Sequence, residues 1–487
     1  MVTVELSKSY GLFIGGKFVE PLSGETTEIL DPSSNEPITS VAKATAEDVR
    51  VAVESARGAF ESPDWRGIDP SKRGRLLYQV GQAIRDHFED LAHLESLNVG
   101  KPIREAKGDV AYVYKLFEYY AGLADKIEGS TIPVPGARLD YTLRQPLGVT
   151  AHIAPWNYPL TLSMRGVAPA LAAGNTAVLK PAALTPLTAL RLAELAVHAG
   201  LPAGALNVVP GSGGVAGNAL VNHPDVRSLT FTGSLETGRQ IMKAAADKVM
   251  PVTLELGGKN PNIVLPDADL DRAVKGVLFG ITQNAGQMCW AGSRLLVHES
   301  IHDGFLQKLA ERMGKTRLGP GLDDQTQMGP LVSREQEESV LRYVHRGVEE
   351  GAKLVVGGKK VSEGGLAKGN FVQPTLFDAV TTDMVVGREE IFGPVLTAST
   401  FSTVDDLVAA ANDSMYGLYA GIWTNDLRKA HTVAARLEAG MVSINEYPVT
   451  FPQTPFVGWK MSGIGQEQGL EAIRHYTRVK NVNVNLE

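Results

Sequence analysis

Cysteine is nearly absent: Cys289 is the single thiol in 487 residues. That excludes an intrachain disulfide framework and points to a reducing compartment, and taken alone such a residue reads first as a small buried apolar side chain. A large excess of charge of one sign is missing too. The 47 Lys+Arg against 54 Asp+Glu leave a net charge of −7, with no Lys/Arg block of the kind that marks a nucleic-acid surface. Long uninterrupted apolar runs are also missing. Between Arg144 and Lys180 the only fully charged residue is Arg165, but Pro146, Pro155, Pro159, Pro169, Asn157 and Asn175 break the stretch, a poor match to the roughly 20 apolar residues of a membrane span. It reads as buried interior, which makes Arg165 unusual. Met1 to Phe18 has no basic flank leading into an apolar core, so no export signal and a cytoplasmic location are expected.

What is present is the composition of a globular enzyme, 44% hydrophobic and 21% charged. A single core stops growing at about 250 to 300 residues, so this length predicts two or more domains. From Val149 onward short apolar runs alternate with helical patterns, the signature of a parallel sheet with crossover helices. Strands are expected at Val149–Ile153, Thr176–Leu179, Leu206–Val209 and Ser228–Phe231, and helices at Leu160–Ala172, Pro186–Ala199, Val215–Val221 and Glu236–Ala246. A second alternating region predicts strands near Arg294–His298, Lys353–Val356, Val395–Phe401, Ala420–Thr424 and Val442–Ile444. Its helical patterns fall at Ile301–Met313, Ser333–Glu350, Val404–Asn412 and Leu427–Leu437. Two such α/β units place a cleft between them. Near the C-terminus Val482, Val484 and Leu486 alternate with asparagines, a strand that needs a sheet of its own subunit or of a partner. No internal repeat or low-complexity segment is found.

Ser228 to Gly238 runs from a strand into a helix through Gly233, with a second glycine at Gly238; free N–H groups at such a helix start can hold a phosphate. The spacing is not the dinucleotide fingerprint, so this signal is weak alone. Further strings accompany it. They are Pro155-Trp156-Asn157-Tyr158-Pro159, Lys180-Pro181, Phe231-Thr232-Gly233-Ser234, Glu255-Leu256-Gly257-Gly258-Lys259-Asn260-Pro261, Gly286-Gln287-Met288-Cys289, Glu389-Glu390-Ile391-Phe392-Gly393-Pro394, and Pro455-Phe456 with Lys460-Met461-Ser462-Gly463. In this order and over nearly the whole chain, the set resembles the NAD(P)-dependent aldehyde dehydrogenase superfamily of the hydrolytic, non-acylating type.

The resemblance implies an α/β fold: a Rossmann-type cofactor domain (1–126 and 145–254), an α/β catalytic domain (255–454), and a small β oligomerisation element with the C-terminal strand (127–144 and 455–487). It implies a homodimer or homotetramer. Cys289 would be the nucleophile, forming a thiohemiacetal and then a thioester. Asn157 would join the Cys289 backbone N–H in an oxyanion hole, where loss of one donor typically costs about a hundredfold or more. Glu255 would activate the hydrolytic water. Cofactor contacts would come from Ile153, Pro155, Trp156, Lys180, Ala183, Gly213, Gly217, Phe231, Gly233, Ser234, Leu256, Glu390 and Phe392, with no metal. Many NAD-preferring members carry, three residues after the lysine, a glutamate that repels a 2′-phosphate. Ala183 stands there, so NADP is expected to be accepted beside NAD. A second departure is Val457, where the family often has glycine.

For the substrate, a small aldehyde, the pocket is expected from Tyr158, Leu162, Arg165, Met288, Trp290, Phe456 and the Glu446–Phe456 loop. Arg165 lies two helical turns beyond Asn157. Many relatives place an aromatic there, whereas those resembling succinic semialdehyde and hydroxybenzaldehyde dehydrogenases place arginine. Buried and unpaired it would be costly, so it needs an anionic partner, either a substrate carboxylate or phenolate or an internal Glu or Asp. The second arginine of a dedicated semialdehyde enzyme is Gln283 here. An aromatic or medium-length apolar aldehyde with a polar end is the expectation, and a semialdehyde held by Arg165 the alternative. A coenzyme A-acylating relative usually lacks the base glutamate, and a non-catalytic lens-crystallin-like protein would not need Cys289, Glu255 and Asn157 together.

Overall fold

The computed structural model describes residues 6–487, so the first five residues of the Met1–Phe18 stretch and of the 1–126 segment lie outside the described residues. Two large sheets organise the chain. The first has eight strands, in the order Gly463–Ile464, Val252–Glu255, Val226–Thr232, Val149–Ile153, Thr176–Lys180, Leu206–Val208, Leu12–Ile14 and Lys17–Val19. Its five central strands are parallel, and antiparallel strands close both edges. Every residue of Val149–Ile153 and of Thr176–Lys180 is buried, which is why these strands read as continuous apolar runs: parallel sheets are covered on both faces.

The second sheet has seven strands, in the order Lys353–Val356, Thr375–Asp378, Val395–Phe401, Arg294–His298, Pro261–Val264, Tyr419–Trp423 and Met441–Ile444. All its pairs are parallel except the first. Glu255 ends a strand of the first sheet, and Pro261 begins one of the second, so five residues carry the chain between them. The expected doubly wound outline is present, and the N-terminal region adds helices at Ala46–Glu61, Pro70–Asp86, Phe88–Val99 and Ile103–Ala121. Leu77, Val80, Val110 and Phe117 from these helices share one core with Leu160, Met164 and Ala177.

Two expected helices differ. Val215–Val221 is split into a wide turn at Gly213–Gly217 and a short helix at Asn218–Asn222, because three glycines at 213, 214 and 217 weaken an α-helix. Leu427–Leu437 ends at Ala434. There the bonding tightens to Arg436 N→Val433 O at 2.9 Å, and Asn412 Nδ2 takes the Arg436 carbonyl.

A separate three-stranded sheet pairs Thr477–Asn485 with Arg138–Pro146 over nine residues, and Arg138–Pro146 with Thr131–Ile132. The C-terminal strand therefore finds its sheet in its own chain. Residues 455–476 stand outside this sheet: Gly463–Ile464 extends the first large sheet, and Trp459–Lys460 pairs with Tyr416–Gly417. No helix among the described residues is long and apolar enough to cross a membrane.

Candidate active site

Three chain segments converge on Cys289. Asn157 follows the Val149–Ile153 strand and precedes the Pro159–Ala172 helix, which proline opens. Its Nδ2 donates to the Gln287 carbonyl at 2.8 Å, and its own carbonyl accepts from Asn284 Nδ2 at 2.8 Å. Glu255 is fixed by the sheet. Between Glu255 and Cys289 the backbones run very close: a Cβ on Gly258 would stand 2.4 Å from the Cys289 carbonyl oxygen, and one on Gly257 would stand 2.2 Å from Glu390 Oε2. Asn260 Nδ2 then holds that same Cys289 carbonyl at 2.9 Å. The turn before the cysteine is strained, with Asn284 at φ 45° and Ala285 at φ 53°, a conformation that costs roughly 1 kcal/mol or more per non-glycine residue. Glu105 Oε2 accepts from Asn284 N at 2.8 Å, and Val332 N donates to Gln287 Oε1 at 2.9 Å, so the turn is braced on both sides.

Cys289 is half-buried, and no backbone carbonyl among the described residues accepts its N–H. Burial pushes its thiol well above the ordinary range, the Glu255 charge adds to this, and Arg165 opposes it. Burial likewise raises Glu255 to about 7, against the lowering pull of Arg165. Arg165 was expected to meet an anion of the substrate or of the protein, and the protein supplies two. Its Nη2 lies 3.2 Å from Glu255 Oε2 and its Nε meets Glu467.

A cavity of about 480 Å³ opens on Cys289 and Asn157. Tyr158, Leu162, Arg165, Trp290 and Phe456 line it as expected, with Pro448, Val449 and Thr450 from the anticipated loop. Met288 does not: it is 2% exposed and packs into the core of the second sheet. Val457 is also outside the lining. Sequence reasoning missed Glu105, Asp109 and Tyr112 of the Ile103–Ala121 helix, and Phe279. Asp109 is tied to buried Lys101 at 2.6 Å, and the Lys101 Nζ stands 3.8 Å above the Tyr158 ring. Trp290 and Phe456 pack with ring centres 5.4 Å apart, and the Arg165 guanidinium lies 4.2 Å above Phe456.

A second cleft of about 680 Å³ lies at the carboxyl ends of the parallel strands, where open α/β sheets take ligands. Ile153, Pro155, Trp156, Lys180, Ala183, Gly213, Gly217, Phe231, Gly233 and Ser234 line it. Gly233 and Gly238 serve close packing here: a Cβ on them would meet the Phe231 ring at 2.5 Å and Leu256 Cδ2 at 2.7 Å. Ser234 caps the Leu235–Ala246 helix by accepting from Thr237 N, leaving the helix start at the cleft. Lys180 is the only charged residue in the lining; it donates to the Pro181 and Gly211 carbonyls, both at 3.0 Å, and burial lowers it to about 8. One cation, a helix start and no carboxylate suit a phosphorylated dinucleotide. Leu256, Glu390 and Phe392, expected as cofactor contacts, are not in this lining. Leu256 N donates to the Ser462 carbonyl, Glu390 accepts from Gly258 N at 3.0 Å, and Phe392 meets the Trp156 ring edge-on at 5.2 Å.

Known proteins resemble this chain over nearly its whole length. Residues 18–482 match the model of the aldehyde dehydrogenase family. The chain is 48% identical to a putative aldehyde dehydrogenase, DhaS, of Bacillus subtilis, over 98% of this chain and 96% of that protein. It is 44% identical to the betaine aldehyde dehydrogenase of the same organism, over 97% of each. An aldehyde dehydrogenase from Bacillus cereus, solved as its NAD+ complex, superposes with a TM-score of 0.97 at 43% identity, covering 99% of this chain and all of that one.

Proposed function

Since the chain belongs to the aldehyde dehydrogenase family and works with NAD(P), we propose that it oxidises an uncharged aromatic or medium-length apolar aldehyde to the carboxylic acid through Cys289. The cavity that opens on Cys289 and Asn157, with Glu255 buried behind its wall beside Cys289 and Arg165, carries this reading. The Cys289 sulfur attacks the aldehyde carbon, its proton passing to Glu255. The oxygen that gains charge is met by the Asn157 amide and the Cys289 N–H. Bound NAD(P)+ supplies the hydride acceptor in the 680 Å³ cleft. The acyl group then rests on sulfur as a thioester, and Glu255 draws a proton from the water that hydrolyses it. Lys180 and the Leu235 helix start would hold the phosphates, and Glu390 the nicotinamide end. With Ala183 in the lining and no carboxylate there, NADP is taken beside NAD.

The semialdehyde alternative loses its main support. Arg165 already meets two internal carboxylates, and a substrate carboxylate would have to compete with both for it. The lining instead offers Tyr158, Trp290 and Phe456 for an aromatic ring. Residues 1–126 and 145–254 are read as the cofactor domain and 255–454 as the catalytic domain, while the three-stranded element is confined to Thr131–Ile132, Arg138–Pro146 and Thr477–Asn485. Ile132, Leu139, Leu143, Val479 and Val484 are exposed on that last sheet, whose C-terminal strand has a free edge, so a homodimer or homotetramer joins there. A single unpaired thiol fits the cytoplasm.

An aldehyde panel read at the reduced-nicotinamide absorbance with both cofactors tests this. Benzaldehyde and hexanal should turn over with NAD and with NADP, and succinic semialdehyde poorly. A semialdehyde as the best substrate would overturn the substrate reading.

A further inference from the structure

Arg165 sits within the almost uncharged Pro159–Ala172 helix and is 3% exposed. Its guanidinium is gripped on three sides: Nη2 by Glu255 Oε2 at 3.2 Å, Nε by Glu467, and its face by the Phe456 ring at 4.2 Å. Glu255 is held asymmetrically. Its Oε2 takes the arginine, while its buried Oε1 has no hydrogen-bond partner. We propose that Arg165 is a positioning residue for thioester hydrolysis: braced on Glu467 and stacked on Phe456, it holds the Glu255 carboxylate by one oxygen and leaves the other free for the attacking water. This rests on Glu255 being the base, as read above.

In the step concerned, the free Glu255 oxygen takes a proton from water and the water oxygen bonds to the thioester carbon. The C–S bond then breaks with its electron pair returning to the Cys289 sulfur, and the acid product and protonated Glu255 release their protons to solvent. The charged and titratable groups facing Glu255 are Arg165, Glu467, Cys289 and Glu390. Arg165 is the only cation among them. A buried carboxyl without it would be protonated at neutral pH and useless as a base. Arg165 draws the Glu255 titration down, and Glu467 pushes it up. A substrate anchor would face its donors into the cavity; here two of the three guanidinium nitrogens are spent on internal acids.

The two neighbours of Glu255 thus make opposite predictions, which a purely structural role would not. Stopped-flow traces of reduced-nicotinamide formation across pH separate the burst from the steady rate. Arg165→Gln should keep the burst at alkaline pH, where Glu255 is ionised, slow the steady rate at neutral pH by about tenfold, and move the acid limb of kcat up by about one pH unit or more. Arg165→Lys should recover part of both. Glu467→Gln should move the limb down. If Arg165→Gln does not fold, the Glu467→Gln limb decides alone. An unmoved limb in the folded variants, or a rise in the aldehyde KM as the sole change, would overturn the proposal. A wild-type enzyme that oxidises no aldehyde would instead sink the proposed function, whereas an active wild type with unmoved variant limbs sinks this inference only.

Discussion

The Asn157 side-chain amide donates to the Gln287 carbonyl at 2.8 Å, 130 residues away in the chain. One of its two N–H bonds is therefore spent on fixing its direction. The other is left for a ligand, and the unpartnered Oδ1 is buried. Because the amide is held before substrate arrives, it needs no reorganisation as charge develops. Asn157→Ala should lower kcat by about 100- to 1000-fold with little change in the aldehyde KM. Loss confined to KM, measured by steady-state kinetics on benzaldehyde, would show that Asn157 binds substrate without stabilising the oxyanion.

The pH dependence follows from Glu255. Burial raises its carboxyl to about 7, and only the ionised form accepts a proton, so activity should be lost as pH falls through about 7 and be full above it. Glu255→Gln should remove this limb along with most turnover. The thiol of Cys289 titrates well above its ordinary range, so alkylation of the free enzyme by iodoacetamide should quicken with rising pH. Since Cys289 is the only thiol, one label per chain should coincide with complete inactivation. A second labelled residue, or activity surviving one label, would contradict the assignment.

How much of this site could be read from residue order depended on how local each part is. Cys289, Glu255 and Asn157 each sit in a short string beside a strand end or turn, and the parallel strands are buried on both faces, so their apolar runs stand out. Arg165 was visible for the opposite reason, as a charge where none belongs. Its partner Glu467 was not, because it comes from a segment that reaches the site only after the chain has crossed both sheets. Glu105 and Asp109 lie four apart on the Ile103–Ala121 helix and look like a solvated face. They line the cavity together with Pro448, Val449 and Thr450, which come from far along the chain. Met288 was misplaced by adjacency: in an irregular turn, neighbours in sequence do not share a direction.

Cofactor choice can be altered at one position. Ala183 is exposed in a cleft whose only charge is Lys180. Ala183→Glu would set a carboxylate where a 2′-phosphate is expected, and a like-charge contact costs several kcal/mol. The NADP kcat/KM should fall by about 100-fold or more while the NAD value is kept or improved. Equal losses for both cofactors would place the 2′-phosphate elsewhere.

Charges are also buried beside the substrate cavity. Lys101 is buried, its Nζ 2.6 Å from Asp109 Oδ2 and 3.5 Å from Glu95 Oε1, and 3.8 Å above the Tyr158 ring. Removing one member of a buried pair strands the others, which typically costs about 3 to 5 kcal/mol. Lys101→Met should therefore lower stability by that order at pH 8. Burial already raises the Glu95 carboxyl to about 7, with Lys101 as the main opposing force. Without the lysine, Glu95 and Asp109 would titrate higher still, so the folded chain would bind protons that the unfolded chain has lost. Stability then falls as pH rises above the unfolded carboxyl range and recovers as pH falls back through the folded value. The gap in denaturation midpoint between Lys101→Met and wild type should thus be widest at pH 8 and narrow toward pH 5. Adding Asp109→Asn to Lys101→Met should return part of the loss at pH 8 by removing one stranded charge. A gap that stays constant across this range would mean that Lys101 contributes packing alone.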